Sequence, residues 1–542
     1  MPRDVGRLDV VVVGAGFAGM YMLHRLRGLG MRCAVLEAGS GVGGTWYWNR
    51  YPGARCDVES MQYSYGFADD IQQEWRWSEL FSGQPEILRY ANFIADRLDL
   101  RRDIRFDTRV VAAHWDEDSA CWTVRTEGGE VLTARHVVMA TGCLSASRMP
   151  DIEGHESFTG AVFHTGQWPH DAVDFSGKRV GIIGTGSSAI QCIPVIAAEA
   201  GQVHVFQRTP NFSIPSRNGA MSAAYEGEWK DDYSERRARA RTTRAGILAP
   251  LNDRPALADA PPERQANYEA RWALGGTYFM QAYNDLALDK ASNDTAVAFV
   301  HGKIRETVKD QAVADILLPR NHPIGTKRIC VDTNYYETYN RENVTLVDLH
   351  ATPILRITAT GVETSAAHHE FDAIVFATGF DAMTGTLLRM DISGRDGASL
   401  RSAWEGGPKT YLGLMTAGLP NMFMITGPGS PSVLSNMMVS IEQHVDWIAD
   451  CLAWLRDSGR ATIAATEAAQ DEWVAHVNEV AQRTLYPLAN SWYMGANIAG
   501  KPQVFMPYIG GVGAYREKCD AVAAAGYEGF RLSPVMASAS AA

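Results

Sequence analysis

A buried strand that runs straight into a glycine-rich turn and then a helix occurs twice in this chain. That repeat constrains the fold more than any other feature. Residues 10–13 are a continuous apolar β-branched run, the pattern of a strand buried on both faces. The run meets Gly14-Ala15-Gly16-Phe17-Ala18-Gly19, then helical spacing over 20–29 and a short strand over 32–36 closed by Glu37. Glycines at these positions let the backbone turn tightly and approach a pyrophosphate, and the helix start offers free N–H groups. Glu37 stands 23 positions after Gly14, placed to accept hydrogen bonds from a ribose diol. The stretch therefore predicts a dinucleotide site.

The same plan returns later. Residues 179–183 read as a strand, Gly184-Thr185-Gly186-Ser187-Ser188-Ala189 as the turn, 190–200 as a helix and 203–206 as a strand. At the same offset of 23 stands Gln207, followed by Arg208. The acid has gone and a cation has arrived beside it. A carboxylate repels a 2′-phosphate, whereas arginine pairs with one. The first site thus favours FAD or NAD, and the second favours NADP.

Each unit continues alike. The first reads as a meander over 106–142, with a further buried strand at 136–139 ending in Ala140-Thr141-Gly142. The second reads as a meander whose strands are 344–349, 354–357 and 361–364, then a strand at 373–376 ending in Ala377-Thr378-Gly379. From glycine turn to that closing threonine the second unit is 67 positions longer than the first. The excess predicts a mostly helical insertion between about 215 and 323. Its arginines Arg236, Arg237, Arg239, Arg241 and Arg244 read as a solvated helix face. Further on, 421–426 reads as a strand and 433–456 as a long helix. The Ala/Ser-rich tail after Leu532 reads as frayed. The expected fold class is α/β, with two Rossmann-like dinucleotide-binding domains and a helical insertion in the NADP domain. The expected division is 1–145 and 381–542 for FAD, 146–214 and 326–380 for NADP, and 215–325 for the insertion.

Composition removes several classes of function. Fifty basic against 62 acidic residues leave a net charge of −12, which argues against nucleic acid or an anionic membrane as partner. No apolar run approaches the ~18 residues of a membrane span, and the short charged start leaves no room for a signal peptide. The eight cysteines form no Cys-x-x-Cys and no close Cys/His set, the pattern of reduced thiols in a cytoplasmic protein with no metal site.

Two such domains suit hydride transfer from NADPH to a bound flavin, which must then pass electrons on. Without a cysteine pair, oxygen or a small acceptor remains. A flavin peroxide needs a nearby cation and a dry pocket. Lys327-Arg328, where the insertion rejoins the second unit, can supply the cation; a surface basic doublet reads the same way. Asp57, after Arg50 and Arg55, reads either as a salt-bridged turn or as a carboxylate in the cofactor pocket. The stretch Phe158-Thr159-Gly160-Ala161-Val162-Phe163-His164-Thr165-Gly166-Gln167-Trp168-Pro169 reads, by itself, as a linker into the second unit.

That stretch resembles the fingerprint of type I Baeyer–Villiger monooxygenases, Phe-x-Gly-x-x-x-His-x-x-x-Trp-Pro, met by Phe158, Gly160, His164, Trp168 and Pro169. A second family pattern is met by Gly43, Gly44, Trp46, Tyr51, Pro52, Gly53 and Asp57. Gly427 to Ser432 is most similar to the phenylacetone- and steroid-oxidising branch. The resemblance implies an NADPH- and O2-dependent FAD enzyme that inserts oxygen beside a ketone carbonyl through a flavin C4a-peroxide, giving an ester or lactone. Sulfoxidation would be a side activity, and N- or S-oxygenation is the alternative chemistry. By position, Arg328 resembles the catalytic arginine and Asp57 the carboxylate that sets it. Lys327, Arg208 and Thr209 resemble 2′-phosphate contacts, and Trp492 a loop residue that closes over the nicotinamide nucleotide. Thr45, Trp46 and Tyr63 fall among the cofactor contacts. Ser432, Val433, Leu434 and Met437 fall where the family lines its substrate pocket. His164 is expected to couple domain position to cofactor binding. A monomer or weak oligomer is expected.

Overall fold

The computed structural model describes residues 7–534. The chain start and the Ala/Ser-rich tail beyond Pro534 lie outside the described residues. Two sheets organise the rest. The first has eight strands, in the order Asp391–Ser393, Val110–Asp116, Cys121–Thr126, Val131–Met139, Leu8–Val13, Cys33–Leu36 and Ile104–Arg105, with Met422–Met424 beside Val131–Met139. Leu8–Val13 lies parallel between Cys33–Leu36 and Val131–Met139, where both faces are covered, so its residues 10–13 are apolar and buried. The strand expected at 136–139 is the second half of a longer one. Its first half pairs with Cys121–Thr126, its second with Met422–Met424.

The second sheet is wholly parallel: Val344–Asp348, Gln202–Gln207, Arg179–Ile183, Ala373–Phe376 and Ala161–His164. Two sequence expectations change here. Residues 344–348 belong to this parallel sheet. The meander is instead Ile354–Thr358, Gly361–Thr364 and His368–Glu370. Periodicity alone cannot say which neighbour a short strand will choose. The stretch read as a linker holds an edge strand, with Ala161 opposite Ala373 and His164 opposite Phe376. Its Phe158 ring lies over Gly160, where an added Cβ would sit 2.6 Å from the ring and 2.7 Å from the Asp372 carbonyl oxygen. Trp168 is buried and stacks on Phe163 with centroids 5.0 Å apart.

The insertion is mainly helical, with Ala223–Asp231, Tyr233–Ala240, Pro261–Leu274, Lys290–Thr307 and Gln311–Leu317. Its arginine run is not a solvated face throughout. Arg237 is buried and donates to the Gln62 carbonyl oxygen (2.6 Å) and to Ser64 Oγ (2.8 Å). Arg241 reaches the buried Glu442 at 3.3 Å. The run thus clamps the insertion onto the first unit, whose backbone and hydroxyl oxygens supply the acceptors for the two terminal nitrogens of Arg237. The long helix Met437–Asp457 packs along Phe17–Gly28, with Tyr21 donating to Asp446 at 2.7 Å.

Candidate functional site

The two glycine turns are built alike. Gly14 N–H donates to the Leu36 carbonyl (2.8 Å) and Gly184 N–H to the Phe206 carbonyl (3.1 Å). Gly14 has φ +106° and Gly184 φ +116°, and a Cβ on either would lie 2.6 or 2.5 Å from the carbonyl oxygen of Ala140 or Ala377. Any side chain is therefore excluded twice, by backbone conformation and by contact. Gly19 is a glycine because a Cβ there would meet the Gly14 carbonyl oxygen at 1.8 Å. The second turn accommodates the buried Ala189 at that place. Gly186 has nothing within 4 Å of an added Cβ, so the mouth of the second turn is open.

Glu37 has a role its position did not reveal. Its carboxylate accepts from Ala15 N–H at 2.6 Å and from Gly39 N–H at 2.7 Å, tying the first turn to the end of Cys33–Leu36. Burial pushes its carboxyl above the ordinary value, and these donations offset part of that shift. A carboxylate has about four acceptor sites, so lone pairs remain for a ribose diol. In the second unit Gln207 turns away and donates to the Ile316 carbonyl (2.8 Å), leaving Arg208 exposed at the strand end. Thr185 donates to the Thr209 carbonyl at 2.8 Å, which fixes the residue after that arginine. Lys327 lies close enough to Arg208 that burial and this second cation both lower its pKa. Two cations held together without a carboxylate between them suit a dianionic phosphate. Ser187, at the helix start, lies 3.3 Å from Cys330 Sγ.

Gly44 adjoins the first turn; its added Cβ would be 2.9 Å from Gly16 Cα. The exposed Thr45 opens the short helix Thr45–Trp48. Trp46 is buried and donates through its indole N–H to the Tyr63 hydroxyl at 3.0 Å. This edge-to-face aromatic pair, the first glycine turn and the acid fit a bound flavin dinucleotide; the second turn with Arg208 and Lys327 fits a phosphorylated nicotinamide dinucleotide.

Asp57 and Arg328 meet between the two units. The Nε and Nη2 atoms of Arg328 both lie 3.1 Å from Asp57 Oδ2, and Nη1 donates to the Val433 carbonyl at 3.1 Å. Neither a salt-bridged turn nor a surface doublet describes these residues. Arg50 donates to its own loop at the Tyr47 carbonyl (2.8 Å), and Arg55 pairs with Glu79. Burial by itself would lower the Arg328 pKa, but Asp57, joined by Tyr493 and Cys56, outweighs burial and holds the guanidinium protonated. Burial raises the Asp57 carboxyl above its ordinary value even beside Arg328.

Around this pair lies an apolar cluster containing Cys143, Val433, Tyr493 and Phe505, with Leu434, Met437 and Trp492 half-buried against it. Ser432 is fully buried and faces Cys143 Sγ at 3.0 Å rather than open space. Trp492 packs on Tyr493 with ring centroids 4.2 Å apart, and it is the Tyr493 hydroxyl that faces Arg328. Tyr493 was not foreseen, since one aromatic in an irregular loop looks like its neighbour. Gln191 was missed too. It lies one turn into Ser187–Glu199 and reaches Asp57 Oδ1 at 3.4 Å. His164 is buried; Nδ1 accepts from Gly166 N–H (3.0 Å) and Nε2 lies 3.2 Å from the Arg148 carbonyl oxygen, which assigns the proton to Nε2. Burial lowers its pKa, so it is neutral. No group of side chains suited to a metal occurs among the described residues, and their eight cysteines are all free.

Comparison with known proteins places this geometry. A family model described as pyridine nucleotide-disulphide oxidoreductase matches residues 8–232. A Baeyer–Villiger monooxygenase from Pseudooceanicola batsensis is 42% identical over 523 residues, covering 96% of this chain and 95% of that protein. A phenazine N-monooxygenase from Lysobacter antibioticus is 41% identical over 534 residues, covering 98% of each. The solved structure of an oxidised steroid monooxygenase bound to NADP matches with a TM-score of 0.94 at 52% identity, covering 98% of this chain and all of that one.

Proposed function

The chain belongs to the Baeyer–Villiger monooxygenases, and we propose that it uses NADPH, FAD and O2 to insert one oxygen atom beside a ketone carbonyl, giving an ester or lactone. The observation that carries the site assignment is the Asp57–Arg328 pair between the two glycine turns. When bound, FAD would supply the hydride acceptor for NADPH and the means to activate oxygen. The chain's own residues hold, orient and shield the reactants. The division that goes with this reading is 1–145 with 381–542 for the FAD unit, 146–214 with 326–380 for the NADP unit, and 215–325 for the insertion, which Arg237 and Arg241 tie to the first unit.

Arg328 is the fixed cation for the negative charge that develops on the substrate's carbonyl oxygen. Preorganised charge in a water-poor site acts without reorganising at the moment of reaction. Asp57 and the Val433 carbonyl set its direction. Glu37 takes the ribose diol of FAD. Arg208, Lys327 and Thr209 take the 2′-phosphate of NADP, and Trp492 with Tyr493 screens the cleft from water. Val433, Leu434 and Met437 form an apolar wall for the ketone's substituents, with Ser432 behind them.

The similarity to a phenazine N-monooxygenase supports a second reading, oxygen transfer to an aromatic ring nitrogen. A panel of linear, cyclic, aryl and steroid ketones, a thioether and a phenazine, each with NADPH and analysed by product mass, separates the two. Ester from at least one ketone class is expected, with minor sulfoxide. An N-oxide with no ester from any ketone would overturn the first reading.

A further inference from the structure

The segment carrying Asp57 is fastened to the helix of the other nucleotide unit through one side chain. Gln191 Oε1 accepts from the Tyr51 hydroxyl (2.8 Å) and from Arg55 N–H (3.2 Å). Its Nε2 donates to the Arg55 carbonyl (3.1 Å) and to Asp57 Oδ1 (3.4 Å). An amide has two donors and two acceptor lone pairs, so all four are spent on residues 51–57. Backbones close up as well. Gly53 has φ +80°, and a Cβ there would lie 2.4 Å from the Gln191 carbonyl oxygen. The segment is also tied to its own unit, through Cys56 N–H to Ser82 (3.1 Å) and Gln84 N–H to Ala54 (2.8 Å). It therefore bridges the units.

Asp57 divides its two oxygens between them: Oδ2 to Arg328, Oδ1 to Gln191. The helix bearing Gln191 starts at the second glycine turn, where a pyrophosphate would sit against its N-terminus. Of the four amide contacts the one to Asp57 is the longest. A shift of the helix by a few tenths of an ångström takes it beyond hydrogen-bond range before the others break.

We propose that Gln191 is a positioning residue that transmits occupation of the NADP site to the Asp57–Arg328 pair, orienting the carboxylate only when the helix is seated. This rests on the reading of that pair as the reaction-side charge. Its consequence is a coupling check: with the helix displaced, Arg328 loses its fixed direction and NADPH is consumed without ester.

The test uses FAD-loaded Gln191→Ala, Gln191→Glu, Asp57→Ala and the Gln191→Ala/Asp57→Ala double variant. Gln191→Ala should lower ester formed per NADPH about fivefold or more, with anaerobic flavin reduction slowed by less than about threefold. Gln191→Glu keeps the volume and the acceptor but sets a like charge against Asp57, so it should couple no better than Gln191→Ala. If both residues act through one contact, the double variant should be within about twofold of Asp57→Ala. In wild type, NADP should slow hydrogen exchange of residues 51–57, and Gln191→Ala should lose that response. Wild-type coupling in Gln191→Glu, or losses that multiply in the double variant, would overturn the proposal. Wild-type coupling in Asp57→Ala would instead remove the underlying reading of the pair.

Discussion

Replacing Asp57 by asparagine keeps the side chain's shape and removes the charge that holds Arg328. In a fully buried pair, deleting one partner costs about 3–5 kcal/mol, because the other charge stays behind uncompensated. Here Asp57 is 9% exposed and Arg328 is 36% exposed, so water screens the arginine in part. The Val433 carbonyl also remains as an acceptor. Those two facts bring the expected loss to about 1–3 kcal/mol. With 1.36 kcal/mol per factor of ten, ester formation should fall between about fivefold and about 150-fold. The assay is kcat/KM for ester, with anaerobic reduction of the flavin by NADPH as control; reduction should change by less than about threefold. The pH dependence supplies a sign. Burial raises the Asp57 carboxyl, so wild type loses the same charge at a higher pH than an ordinary aspartate does. The gap between wild type and Asp57→Asn should therefore narrow as pH falls. An Asp57→Asn enzyme within twofold of wild type at pH 8 would refute the reasoning.

Arg208→Ala and Lys327→Ala should each raise KM for NADPH about tenfold while leaving KM for NADH nearly constant, since each removes one charged contact to the 2′-phosphate; steady-state kinetics with both nucleotides checks this. Asp332 is buried, accepts from Ser213 Oγ at 2.5 Å, and burial pushes its carboxyl up to about 6. The folded state thus binds its proton more tightly than the unfolded state, and stability from this group is present below pH ~4 and lost as pH rises through 6. Asp332→Asn should then melt higher than wild type at pH 7.5, by about 1–3 kcal/mol in stability, with the advantage gone near pH 4.5; melting curves at the two pH values decide. His164→Ala leaves the Gly166 N–H without its acceptor, while the Arg148 carbonyl keeps the Thr378 hydroxyl at 3.1 Å, a loss of about 1–3 kcal/mol. If His164 couples domain position to cofactor binding, ester per NADPH should fall with it; a variant that melts lower yet couples normally reduces the residue to a structural tie.

Much of the fold was legible because its signals are local. A buried parallel strand carries a continuous apolar run, and a φ above +100° at Gly14 and Gly184 leaves glycine no substitute. The contrast between Glu37 and Gln207-Arg208 could be read for the same reason: each follows its own strand at one fixed offset. Strand partners were less legible. Residues 344–348 and 161–164 are short enough to suit a meander or a linker, and only the edges of the parallel sheet claim them.

The sequence by itself determined that two glycine turns are present, which charged or polar side chain closes the strand after each, and which family motifs surround them. Those properties depend on neighbours a few residues apart. Tertiary structure alone decided that Asp57 pairs with Arg328, 271 positions away, rather than with Arg50 or Arg55. It alone turned Arg237 inward, set Tyr493 beside Arg328, and brought Gln191 onto the Asp57 segment. An ion pair or an amide contact between two units has no period and no fixed spacing. It exists because packing brings the groups into a place where water can no longer satisfy them.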